Sequence, residues 1–118
     1  MVLIKKKLSE LVCRVYTEYT FDILSVEDTP ICISYRTKNK LVYTSYHTVV
    51  KEFHNVNDTH TWREFIDLAG SIVKCGYLTS TPIKIEMKNG LCEIVDGQHR
   101  ASILWELYGD IEIEVELR

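Results

Sequence analysis

A single compact α+β domain with a small mixed sheet is the fold this 118-residue chain predicts. Three observations predict it. Asn89-Gly90 stands between two β-rich runs, the pattern of a hairpin closed by a two-residue type I′ turn. Helical spacing of apolar residues covers 62–75 and 98–108, on either side of that hairpin. The chain is 46% hydrophobic and 26% charged, without repeats, low-complexity segments or a linker, so it fits one domain, 1–118, that buries its own core.

Taken in order, residues 2–16 place Leu3, Ile4, Leu8, Leu11, Val12 and Val15 near helical spacing and predict an amphipathic helix. Asp28-Thr29-Pro30 is a break. The β-rich runs 31–35 and 41–46, joined by the polar 36–40, predict a first hairpin. Residues 51–61, with Asn55, Asn57 and Asp58, predict a loop. Thr61-Trp62-Arg63-Glu64 is a capping box, with Thr61 as N-cap and Glu64 at the third helical position. The helix it opens buries Phe65, Leu68, Ala69 and Ile72 and ends at Gly76. The Asn89-Gly90 register pairs Met87 with Cys92, Ile85 with Ile94 and Ile83 with Asp96, an apolar face. On the other face Glu86 opposes Glu93. That pair reads as an acid/base couple or, more simply, as a structural face with Lys84 and Lys88 diagonal to Glu93. The last run alternates Ile111, Ile113, Val115 and Leu117 with Asp110, Glu112, Glu114 and Glu116, a strand with a solvated acidic face.

The chemistry is concentrated in Asp96-Gly97-Gln98-His99-Arg100, between the run 92–95 and a helical run that stops at Gly109. A glycine turn that leaves a strand and opens a helix aims backbone N–H groups and the helix dipole at one point, which attracts phosphate. Two basic residues in a first helical turn oppose the dipole unless an anion sits there. The bland alternative is an ordinary β–α turn with His99 and Arg100 solvated.

The order Phe65-x-x-Leu68-Ala69-x-Ser71-Ile72-x-x-x-Gly76, Pro82-Ile83-x-Ile85, Ile94-x-Asp96-Gly97-Gln98-His99-Arg100 and Ile111-x-Ile113-x-Val115 resembles the ParB/sulfiredoxin superfamily over residues 62–117. Residues 1–61 carry no such resemblance. The shared element of that superfamily is nucleotide phosphate on a G-x-[HR]-R turn, with further contacts from the preceding helix. The resemblance therefore implies phosphate or nucleotide binding by Gly97, Gln98, His99, Arg100 and Ser71. It implies catalytic roles for His99 and for Asp96, the latter as base or magnesium-facing carboxylate, and Mg2+ with ATP, ADP or CTP as cofactor. The activity implied is a nucleotide-dependent phosphotransferase or NTP hydrolase. The alternatives are a non-catalytic module for a phosphorylated ligand or nucleic acid, or a ParB-like nuclease, since some members are described as nucleases. Among the branches, a serine kinase using ADP has the similar turn D-G-H-H-R, and a DGQHR group is associated with DNA sulfur modification. Sulfiredoxins carry G-C-H-R, whose cysteine is the nucleophile. Gln98 stands in its place, and an amide forms no thiolate, so sulfinic-acid reduction is not expected. Glu64 replaces a lysine of that family, which works against triphosphate affinity.

Net charge is −3. With an acidic last strand and no room for a helix-turn-helix, duplex DNA binding by the lone chain is not expected. Its basic run, Lys5-Lys6-Lys7, reads as a solvated helix face. No apolar run approaches the ~18 residues a membrane span needs, and no long apolar segment follows the N-terminal lysines. Cys13, Cys32, Cys75 and Cys92, scattered without C-x-x-C spacing, read as reduced, buried thiols of a cytoplasmic protein. His47, His54 and His60 form a second constellation, spaced unlike a helical zinc pair. With Glu52, Asn55 and Asp58 they belong either to a solvated loop or to a segment closing over the phosphate turn. Trp105 reads as a partly exposed residue, either packed on the N-terminal segment or placed to stack a base.

Overall fold

A computed structural model of the chain describes residues 1–56 and 60–118. Six strands form one mixed sheet: β1 (Val2–Lys7), β2 (Leu11–Tyr16), β3 (Phe21–Ser25), β4 (Ile83–Lys88), β5 (Leu91–Asp96) and β6 (Glu112–Leu117). Their spatial order is β1-β6-β4-β5-β2-β3. The pairs β6/β4 and β5/β2 are parallel, and the others antiparallel. Four helices accompany it: α1 (Pro30–Thr37), α2 (Lys40–His54), α3 (Trp62–Cys75) and α4 (Gln98–Tyr108).

The sheet and helices share one core. Leu11, Cys13, Val15, Ile83, Ile85, Ile94, Ile113 and Val115, at alternate positions of their strands, pack with Tyr43, Phe65, Ala69, Ile72, Ala101, Ile103 and Leu104 from the helices. Period 2 in the strands and period 3.6 in the helices thus direct their apolar sides to the same layer. The other face of the sheet carries a charged group. Glu93 is nearly buried, with Arg14 Nη2 at 3.3 Å from one carboxylate oxygen and Lys88 Nζ at 2.9 Å from the other. Its hydrogen bond to Glu93 raises the Lys88 ammonium above the ordinary lysine value. Glu86 does oppose Glu93, and Lys88 Nζ stands 3.5 Å from the first and 2.9 Å from the second.

Several expected elements form as the chain predicts. The hairpin turns at Asn89-Gly90, both at positive φ. Thr61 caps α3 by accepting the Glu64 N–H at 3.1 Å, and Gly76 ends it. Gly109 ends α4, and 112–117 is a strand whose alternate residues Ile113 and Val115 are buried. Register holds for Met87–Cys92 and Ile85–Ile94, but an irregularity at Lys84/Ile85 pairs Lys84, not Ile83, with Asp96. One peptide of slip moves Asp96 out of the apolar face, and Met87 is half-exposed rather than core.

The N-terminal half differs. Residues 2–16 form β1, a 3-10 turn and β2 instead of a helix. Leu3, Ile4, Leu8 and Leu11 fit a 3.6 period, whereas Leu8 is buried in the 3-10 turn and β2 buries Leu11, Cys13 and Val15, a period of 2. Strand pairing with β6 and β5 overrides the local spacing. Lys5-Lys6-Lys7 therefore lies on a strand, where Lys5 faces Glu114 and Lys7 faces Glu112. The expected hairpin 31–46 is instead α1 and α2. Thr29-Pro30 is a helix start: Thr29 Oγ1 accepts the Cys32 N–H and Pro30 takes the first helical position, where its missing N–H costs nothing. Asn39 caps α2 in the same way. Residues 51–54 continue α2, with Asn55 ending it in the left-handed conformation. Asn57 and Asp58 lie outside the described residues. Cys13, Cys32 and Cys92 are buried as expected, but Cys75 is exposed. Burial pushes the Cys13 thiol up to about 12 and Cys32 up to about 11, so neither forms thiolate at neutral pH. Among the described residues, no helix is long and apolar enough to cross a membrane.

Asp110 ties the loop before β6 to the turn between β1 and β2. It accepts the Ser9 hydroxyl at 2.6 Å and the Ser9 N–H at 2.8 Å. These bonds, hydroxyl first, hold its carboxyl below the ordinary value. The stability they add is complete above the unfolded carboxyl pKa and is lost as pH falls through the lowered folded one. Asp110→Asn should accordingly lower the melting temperature at neutral pH and flatten its fall toward acid. Parallel acid limbs in the two melting profiles would contradict this.

Candidate functional site

β2 and β5 run parallel but pair only at Leu11–Cys92 and Val12–Glu93. Beyond that point the Gln98 side-chain amide donates to the Arg14 carbonyl at 3.3 Å, so α4 begins where the two strands part. A cleft of about 520 Å³ opens there, lined by Arg14, Tyr16, His60, Glu93, Asp96, Gly97, Gln98 and His99, among others. A crevice outside the carboxyl ends of parallel strands is the usual ligand position in open sheets that contain them.

The turn itself is built on Gly97, at φ 114° and ψ 23°. A Cβ on Gly97 would lie 2.8 Å from Ile83 Cγ1 and 3.1 Å from Arg100 Nη2. The glycine is thus required twice, by its dihedrals and by the approach of β4. Ile83 is itself held, because its N–H donates to the Tyr77 hydroxyl at 2.8 Å, and that hydroxyl donates to the Glu114 carbonyl at 2.6 Å. The Gly97 carbonyl already accepts the Ala101 N–H at 2.9 Å, closing the first helical turn.

Arg100 folds back over this turn. Its guanidinium donates to the Thr81 carbonyl and stands 3.8 Å from Asp96 Oδ2, its side chain largely covered. Asp96 is exposed. Asp96, Gly97, His99 and Arg100 also line a smaller recess of about 180 Å³, closed by His60, Glu64, Phe65 and Leu68. From α3, then, Glu64 and Leu68 face the turn. Ser71 is exposed and is not among the residues lining either space. Trp105 packs partly buried against the core and lines neither.

His99 enters an aromatic group that its neighbours in sequence did not announce. Its Nε2 hydrogen-bonds the Tyr43 hydroxyl at 2.9 Å. The Phe65 ring meets it edge-on at 5.1 Å, and the His60 and His47 rings stand 5.1 and 5.6 Å away. Tyr43 is almost fully buried, stacked on Phe65 at 5.1 Å and 16°. Of the three mid-chain histidines, His47 and His60 come to the turn. His54 does not, lying against the Tyr16 ring at 4.5 Å and bonding the Thr17 carbonyl. The hairpin expected over 31–46 gives Tyr43 no place at the turn. Read as a helix, 40–54 places Tyr43 and His47 one turn apart, on one face.

Among the described residues, no trio of His, Cys, Asp or Glu is arranged to hold a metal by itself. Magnesium carried by a nucleotide needs only one or two carboxylates and keeps several waters. Asp96, exposed at the cleft, with Glu64 across the recess, fits that demand. No family model, curated protein or solved structure matches this chain.

Proposed function

We propose that this chain is a nucleotide-binding protein of the ParB/sulfiredoxin type, holding phosphate on the 97–100 turn as a nucleotide-dependent phosphotransferase or NTP hydrolase. The observation that carries the reading is the turn itself. A glycine at which any side chain would be strained brings the N-terminus of α4 to the mouth of a cleft at the ends of two parallel strands. N–H groups and dipole there favour an anion. His99 stands at the same mouth, and Gln98 anchors the turn to β2. Arg100 contributes charge from the recess side, where its contacts with Thr81 and Asp96 orient it. Ser71 has no part in this reading. When Mg2+ is bound with ATP, ADP or CTP, it supplies charge neutralisation at the phosphates, and Asp96 with Glu64 would hold it.

The Asp96–Arg100 contact favours a second reading, binding without turnover. That contact directs the Asp96 carboxylate at Arg100 rather than at a substrate. Steady-state turnover with magnesium separates the two.

A thermal-shift series with ATP, ADP and CTP, each with magnesium, tests the binding itself. A ligand at 100 times its Kd should add about 2.7 kcal/mol of stability. Arg100→Ala should weaken that binding by about 1.5–3 kcal/mol, the range for a charged hydrogen bond. No stabilisation by any of the three at millimolar concentration would remove the nucleotide reading.

A further inference from the structure

A second pocket, of about 560 Å³, lies between α2 and the start of α3, and His60 borders both it and the cleft at the turn. Its size is within the range of small-molecule sites. Lys40, Thr44, Thr48 and Lys51 line it from α2, at a spacing that puts them along one side of the helix. The two lysines stand about 16 Å apart along the axis, one toward each end. Arg63 and Trp62 line it from α3.

The charge is one-sided. Lys40, Lys51 and Arg63 line the pocket, and among the described lining residues none is a carboxylate, in a chain with 17 acidic residues against 14 Lys and Arg. Arg63 has one acidic partner, Asp67 at 3.4 Å, which does not line the pocket. The positive end of the α3 dipole points the same way. The wall is rigid and aromatic: Trp62 is wedged edge-on against Tyr43 at 5.6 Å and against Phe65 at 5.9 Å. The cations and the helix start offer charge-assisted donors of the kind a phosphate dianion accepts, while the Thr44 and Thr48 hydroxyls donate to the Lys40 and Thr44 carbonyls of their own helix. A fixed indole offers a flat apolar surface for a ring.

We propose that this pocket binds a phosphorylated small molecule bearing an aromatic ring, the phosphate among the cations and the ring on Trp62. The site is separate from the 97–100 turn and does not depend on nucleotide binding there.

The test uses Trp62 fluorescence in the full chain with Trp105→Phe, which leaves Trp62 as the one tryptophan. The probes are 4-nitrophenyl phosphate, 4-nitrobenzoate and neutral 4-nitrobenzyl alcohol. Saturable quenching by the phosphate is expected, falling with added salt, with weaker binding of the carboxylate and none of the alcohol. Lys40→Glu with Lys51→Glu should weaken the phosphate probe about tenfold or more, since both cations become repulsive. Arg100→Ala should leave it unchanged. Far-UV circular dichroism and melting temperature establish that each variant is folded. Glutamate in the first turn of α2 suits the helix dipole. Equal quenching by the neutral alcohol, equal affinity for the carboxylate, or indifference to the lysine reversals would each overturn the proposal. So would loss of quenching in Arg100→Ala, which would put the probe on the turn. Nucleotide thermal shifts in the lysine-reversed chain report on the turn separately.

Discussion

Gly97→Ala should destabilise the fold by about 3 kcal/mol, the sum of two independent penalties. The first is conformational. At φ 114° an L-residue is outside even the small left-handed region, so the cost exceeds the roughly 1–2 kcal/mol of ordinary left-handed backbone. The second is steric. The new methyl would sit 2.8 Å from Ile83 Cγ1, and Ile83 is fully buried in β4 with its N–H held by Tyr77. It has little freedom to retreat, and overpacking of that kind costs about 1–3 kcal/mol. Gly90→Ala is the control. Gly90 also has positive φ, 78°, but meets nothing within 4 Å, so about 1 kcal/mol is expected. Urea melts of the two variants give the comparison. Equal midpoints would mean that Ile83 does not close on the turn.

Phe65→Ala should cost about 3–5 kcal/mol, the range for emptying a buried aromatic site. Phe65 is 1% exposed and supports four rings at once: Tyr35, Tyr43, Trp62 and His99. The loss should reach the site as well as the fold. With Phe65 gone, Tyr43 loses one ring it stacks on and His99 loses its edge contact, which loosens the bond of 2.9 Å between them. Phe65→Leu keeps most of the volume and should cost less than about 2 kcal/mol. Denaturant midpoints measure the stabilities, and imidazole proton resonances report on His99. An unmoved His99 resonance in a folded Phe65→Ala chain would show that the ring is positioned by other means.

The legible elements are those whose signals are local. Asn89-Gly90 specifies its turn because asparagine and glycine tolerate the positive φ that a two-residue hairpin needs. Thr61 and Gly76 delimit α3 because their conformations satisfy the orphan N–H and C=O groups of a helix. The Asp96-to-Arg100 turn belongs to the same class. Over 31–46 the strand propensity of Ile31, Ile33, Val42 and Tyr43 points to a hairpin, while burial of Ile31, Cys32, Ser34 and Tyr35 in α1 follows a helical face. The local signals that favour the helices there are the caps Thr29-Pro30 and Asn39.

By itself, then, the sequence determined the α+β class, the hairpin around Asn89-Gly90, helices α3 and α4, the final strand, and the place of the DGQHR turn between a strand and a helix. Each depends on interactions spanning a few residues, whose energies are set by residue types at fixed offsets. Tertiary structure decided that residues 2–16 extend along β6 and β5. It also decided that Tyr43, His47 and His60 surround His99 and that Ser71 stays outside the site. Those outcomes join residues from 39 to more than 100 positions apart. They depend on which apolar faces share one core, a choice no local spacing encodes.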